Sequence, residues 1–157
     1  MSDLLEPGLV RLPQLSEGWQ ADGVEWTTRR VRFQITSPAG DAGAATLTRC
    51  VGGPLPDAYP VASHDLELTL AMPAGRSQAL GVLARGALAA DPKCRRVVVA
   101  VPADDGDART DAVDAGLRSV VVVDLPDASG ASSWELMVLE PEWVTKVDIH
   151  LDKVPGT

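Results

Sequence analysis

The sequence predicts an α/β (α+β) fold built on a mixed central sheet, mostly antiparallel with one parallel pair. Three observations predict it. Residues 31–36 (VRFQIT) alternate apolar and polar side chains, break at the turn cluster SPAGDAG, and return at 44–50 as a second strand, which makes a hairpin. Residues 65–72, a Gly- and Arg-bearing turn, a helix and the apolar run at 96–101 follow, and a strand–helix–strand connection joins parallel neighbours. A short acid-rich helix then leads into RSVVVVDL and WELMVLEP, a closing hairpin.

In chain order, residues 1–25 read as an irregular lead-in with one short strand near 9–12. Residues 51–63 contain three prolines and two glycines and read as a long loop. The helix expected from Gln78 to about Ala90 places Leu80, Leu83, Ala84, Ala87 and Leu88 on one face with Arg85 opposite, and stops at Asp91-Pro92. RRVVVAV is apolar enough to be a strand covered on both faces, and RSVVVVDL reads the same way. Between them, residues 103–117 read as a helix with acids at its start and Gly116 as its C-terminal stop. Residues 142–157 read as a C-terminal arm. The whole chain, 1–157, reads as one domain.

Composition removes several function classes. Asp and Glu outnumber Lys and Arg by 22 to 14, a formal charge of −8, so there is no basic excess for nucleic acid or an anionic membrane surface. The longest apolar run, 97–101, is far too short to span a bilayer. Acids stand near the N-terminus where a secretory signal needs cations. Cys50 and Cys94 lack metal-ligand spacing and read as reduced thiols. These readings give a cytoplasmic protein with no metal site.

The strongest chemical signal lies between the strand at 65–72 and the helix after it. A helix start offers unpartnered N–H groups and the positive end of the macrodipole, which suits phosphate where side chains are small. Arg76, Ser77, Ala79 and Gly81 meet that condition.

The same residues resemble the GNAT acyltransferase superfamily. Ala71-Met72-Pro73 stands where that family has V-x-P. Arg76-Ser77-Gln78-Ala79-Leu80-Gly81 follows at the family's offset and fits its pyrophosphate pattern Q/R-x-x-G-x-G/A, with Ala79 in place of the first glycine. Asp104-Asp105 stands at the D-N position, and Ala115-Gly116-Leu117 at the L-G-F position. By element order the resemblance covers residues 31–139, and by motif 65–118.

The resemblance implies an acyl-CoA-dependent N-acyltransferase acting on a small amine or amino-acid-like acceptor, with acetyl-CoA or another acyl-CoA as co-substrate. It implies that backbone groups at Ala71 and Met72 pair with the pantetheine arm. It places the pyrophosphate on Arg76, Ser77, Gln78, Ala79, Leu80 and Gly81, with Asp105 nearby. It makes Glu67 the general base, with Asp65 its neighbour on the same strand face and His64 a further candidate. A homodimer stays open. The family's tyrosine position falls on Ala112, and little chain is left for the two helices of the acceptor side.

Each residue also has a plain structural reading. Glu67 reads equally as the solvent-facing residue of a half-exposed strand, Arg76 as a surface cation, and the acids at 104, 105 and 107 as a helix-start cluster. Two other functions therefore stand beside the enzyme: a GNAT-like accessory module without catalysis, and an unrelated α/β protein whose turn binds another phosphate.

Overall fold

Alternation builds the first strands. In β2 (Arg30–Thr36) the side chains of Val31, Phe33 and Ile35 are fully buried while Arg30, Arg32 and Gln34 face water. Burying each large apolar side chain is worth about 1.5–3 kcal/mol, so this pattern fixes which face meets the core. β2 pairs antiparallel with β1 (Gln20–Thr27) and with β3 (Ala42–Arg49). Residues described by the computed structural model are 10–50, 64–124 and 133–141.

The remaining elements are β4 (Leu66–Ala71), α1 (Arg76–Ala90), β5 (Val97–Pro102), α2 (Gly106–Asp114), β6 (Arg118–Asp124) and β7 (Ser133–Leu139). They form a seven-stranded sheet in the order β1-β2-β3-β4-β5-β7-β6. Only β4 and β5 are parallel, as the crossover through α1 requires. Leu66, Leu68 and Leu70 pack with Leu80, Leu83, Ala84 and Ala87 of α1 in the main core. Val98, Leu136, Val138 and Cys50 form a second buried cluster. β5 thus contributes to both clusters, which explains its nearly unbroken apolar run.

The end of α2 is set locally. Gly116 takes φ +99°, its N–H donates to the Val113 carbonyl, and the Leu117 N–H donates to the Ala112 carbonyl. That is the Schellman closure expected of a glycine one residue beyond a helix.

Three expectations need correction. No strand forms at 10–12; this segment instead docks on α1, where the Gln14 N–H donates to the Gly86 carbonyl and Val10 is buried. A strand does form inside the lead-in, at Gln20–Thr27, with an irregular register between Asp22 and Glu25 that blurs its alternation. RSVVVVDL is not covered on both faces. β7, not β6, lies beside β5, so β6 is the sheet edge and Val122 is 59% exposed. The loop at 51–63, the turn at 125–132 and the arm at 142–157 lie outside the described residues.

Gly86 is where the lead-in crosses α1. A Cβ there would sit 2.3 Å from the Gln14 carbonyl oxygen and 3.0 Å from its carbon. In a free helix Gly→Ala gains about 1 kcal/mol, but here the obstacle is backbone rather than a flexible side chain. Gly86→Ala should therefore destabilise by about 1–3 kcal/mol, the usual cost of overpacking. Thermal unfolding checks it, and a raised Tm would mean that residues 10–16 are not held against α1.

Candidate active site

The parallel pair is short. Leu66 registers with Val97 and Glu67 with Val98, and no further rung joins β4 to β5. Beyond Glu67, β4 keeps its partners on β3 as far as Ala71, and β5 keeps its partners on β7 as far as Pro102. Beyond those two rungs the unpaired edge of β5 lines a cleft of about 400 Å³. Val99, Ala100, Val101 and Pro102 form its apolar wall, Arg76 stands at the α1 side, and Asp105, Asp107 and Asp111 line the α2 side.

α1 begins at Arg76, two residues before the expected Gln78, behind Gly75 as N-cap. No side chain caps this end and no acid stands in its first turn. The Ala79 N–H already donates to the Gly75 carbonyl. The amides of Arg76, Ser77 and Gln78 precede that first helical bond and have no acceptor within the helix. Ser77 is half-buried and Gln78 exposed, so the helix start is open to a ligand.

The other predicted binding residues sit differently. Ala79, Leu80 and Gly81 are buried, with Leu80 in the main core. At Gly81 a Cβ would lie 3.3 Å from the Ala115 carbonyl and 3.0 Å from the Arg85 guanidinium, so the glycine sits where the end of α2 approaches α1. Ala71 is exposed at the end of β4, while the Met72 side chain is buried beside Gly43. Asp105 caps α2, its Oδ1 accepting the Ala108 N–H at 3.0 Å.

The Arg76 guanidinium already has protein partners. Its Nη1 donates to the Leu70 carbonyl at 2.6 Å, and its Nε lies 3.4 Å from Asp111 Oδ2. The sequence reading did not single out Asp111. The signal was present in the i, i+4 spacing of Asp107 and Asp111, which sets both on one side of α2.

Glu67 occupies the last rung of the parallel pair, between Thr48 of β3 and Val98 of β5. Leu66 and Leu68 point to the main core, so Glu67 points to the opposite face. Burial pushes its carboxyl above the ordinary carboxylate range. A carboxylate raised by desolvation is a better proton acceptor near neutral pH than an exposed one.

The two neighbouring candidates lie in ion clusters. Asp65 is buried, 4.0 Å from Arg96, which also lies 3.6 Å from Glu140. His64 Nδ1 and Arg49 Nη1 are each 3.4 Å from Asp91 Oδ2. Burial works to raise the Asp91 pKa, but the Lys93 amide, His64 and Arg49 together hold it below its ordinary value. Both cysteines are buried free thiols. Burial raises Cys94 to about 12 and Cys50 further still, so neither is a ready nucleophile. Among the described residues no group of His, Cys, Asp and Glu could hold a metal ion, and no helix is long and apolar enough to cross a membrane.

No family model matches the chain, and no curated protein matches it in sequence. Solved structures match it in shape. An uncharacterized protein from Bacillus halodurans superposes with a TM-score of 0.62 over 81% of this chain and 68% of its own, at 14% identity. Aminoglycoside acetyltransferase AAC(6')-Ib, in complex with coenzyme A and kanamycin, gives 0.61 over 76% of this chain and 72% of its own, at 14% identity. Mycobacterium smegmatis RimJ, in complex with CoA-disulfide, gives 0.56 over 74% of this chain and 55% of its own, again at 14% identity. At that identity the likeness speaks for fold. With its seven-stranded mixed sheet and single short parallel pair, the chain has the fold of the GNAT acetyltransferases.

Proposed function

We propose that the protein is an acyl-CoA-dependent N-acyltransferase acting on a small amine. The observation that carries this reading is the two-rung parallel pair, beyond which the free edge of β5 lines a cleft beside an uncapped helix start. Acyl-CoA would supply a thioester carbonyl activated for attack. The backbone at Ala71 and Met72 would hold the pantetheine arm as an added strand does. The amides of Arg76, Ser77 and Gln78 would take the pyrophosphate at the positive end of α1, with the Arg76 guanidinium adding charge-assisted bonds. Ala79, Leu80 and Gly81 would support that turn from within the helix.

Glu67 would act on the acceptor. An amine reaches neutral solution mostly protonated and attacks only as the free base. The Glu67 carboxylate would take the proton from the amine nitrogen, directly or through a water, as the new amide bond forms. The departing thiolate would take its proton from solvent, because the family's tyrosine position is a buried alanine, Ala112.

A second reading has its own support: a GNAT-like accessory protein that binds without catalysis. Three carboxylates line the cleft against Arg76, and strands β1 and β2 are joined by only Thr28 and Arg29. The usual helices of the acceptor side have no room there.

Thermal shift with acetyl-CoA and with free CoA tests binding. A ligand present at 100 times its Kd raises stability by about 2.7 kcal/mol. Thiol release over a panel of amines then tests turnover. Binding with turnover supports the enzyme, binding without turnover supports the accessory protein, and no shift removes both.

Glu67→Gln should keep CoA binding and lower turnover by about 10²- to 10⁴-fold, the usual share of a general base. Wild-type turnover should fall as pH drops through the raised pKa of Glu67, since the base must be ionised. A loss below about tenfold at every pH would leave Glu67 a strand residue.

The same variant has a stability signature of opposite sense. The folded-state pKa of Glu67 lies above its unfolded value. Its contribution is therefore present below the ordinary carboxylate pKa and lost as pH rises through the folded value. Glu67→Gln should thus raise the Tm by a few degrees at pH 7 to 8 and by less near pH 4. A variant that melts lower than wild type at neutral pH would contradict the desolvation account.

A further inference from the structure

Arg76 carries the positive side chain that lines the cleft, and Asp111 of α2 holds its Nε at 3.4 Å. The Leu70 carbonyl takes Nη1 at 2.6 Å, so the guanidinium is fixed from two sides. Leu70 lies on the stretch of β4 that has no rung to β5, and Arg76 satisfies a carbonyl there. Asp111 is different in kind. Its side chain is 33% exposed, and that of Arg76 is 30% exposed, so their ion pair is weak and readily exchanged.

We propose that Asp111 sets the affinity of the donor site by competing with the ligand's phosphate for Arg76. The proposal rests on the acyl-CoA reading above. A guanidinium has five N–H donors in a fixed fork, and a phosphate is best held when two of them face it together. With Nε turned to Asp111 and Nη1 to Leu70, the side-on fork of Nε and Nη2 opens to a phosphate only when Asp111 lets go. Asp111 thus favours the empty cleft, and a donor binds at the cost of this exchange. The Leu70 bond need not break, because it uses a different nitrogen.

The Asp111 side chain does not cap α2. Asp105 caps the start, and at the end it is the Asp111 backbone carbonyl that accepts the Ala115 N–H, a bond that Asp111→Asn leaves in place. Loss of a structural contact would weaken binding. Loss of a competitor strengthens it, and that sign separates the two roles.

The experiment is calorimetric titration of CoA into wild type, Asp111→Asn, Arg76→Ala and the double variant at low and at moderate salt. Asp111→Asn keeps the shape and removes the charge. We expect it to bind CoA about three- to fivefold more tightly than wild type at low salt, the size of an exposed ion pair. The gain should shrink with salt, because exposed charges are screened. In the Arg76→Ala background the gain should fall below about twofold, since the competition needs Arg76. Unchanged or weaker binding by Asp111→Asn overturns the proposal while leaving the acyl-CoA reading intact. An equal gain with and without Arg76 overturns it too. No CoA binding by any of the four proteins overturns the acyl-CoA reading itself and this proposal with it.

Discussion

The two-rung contact between β4 and β5 is the constraint on which the rest of the molecule depends. A parallel ladder can lengthen only while both strands follow one twist, and here each strand is committed to an antiparallel partner on its other edge. β4 follows β3 to Ala71 and β5 follows β7 to Pro102. The sheet is therefore joined at Leu66–Glu67 and open beyond it. The cleft begins beside that fork, and the start of α1 reaches it through a turn of four residues after β4. Glu67 sits on the last joined rung but on the sheet face away from α1, outside the residues that line the cleft. A longer ladder would close the cleft with main-chain hydrogen bonds.

Charge is distributed along the same axis. At the joined end, Arg49 and His64 meet Asp91, while Arg96 lies between Asp65 and Glu140, and Arg118 also reaches Glu140. Arg109, on α2, pairs with Glu135. Arg49, Arg96, Arg109 and Arg118 are thus engaged in ion pairs within the fold. The open end receives Arg76 together with Asp105, Asp107 and Asp111. On the proposed reading, a phosphorylated donor there would be held by backbone amides and one guanidinium more than by any broad positive field.

Local order was legible in the sequence wherever a single element carried its own signal. The alternation of VRFQIT, the strand–turn–helix–strand unit and the glycine stop of α2 each rest on residues close in the chain, and each appears in the structure. The hairpins and the parallel pair were legible too, but the order in which the last hairpin joins the sheet was not. RSVVVVDL and RRVVVAV look alike, yet β5 lies inside the sheet and β6 at its edge, because strand order is decided by how the last hairpin inserts. The docking of residues 10–16 on α1 was also hidden, since it uses the Gln14 amide and the space left by Gly86 rather than any apolar repeat. At the site, the proline-offset motif marked the helix start. It gave no sign that Arg76 would be held by Leu70 and Asp111, which lie 6 positions before it in the chain and on another helix.

The position of α1 follows from contacts at three levels. At its C-terminal end stands Asp91, a negative group where the macrodipole disfavours one. Arg49 of β3 offsets that charge, and His64 before β4 contacts the same carboxylate, so the helix end is tied to the base of the sheet. Midway, the Gly86 carbonyl accepts the Gln14 N–H and the lead-in lies across the helix. At the N-terminal end, Arg76 bonds back to the Leu70 carbonyl of the strand that precedes it. A helix held at its end, its middle and its start has little freedom to rotate its first turn away from the fork. The unfavourable acid at position 91 is therefore part of what aims the opposite, positive end of α1 into the cleft. The ion cluster at Asp91 and the uncapped start of α1 beside the cleft are two ends of one helix.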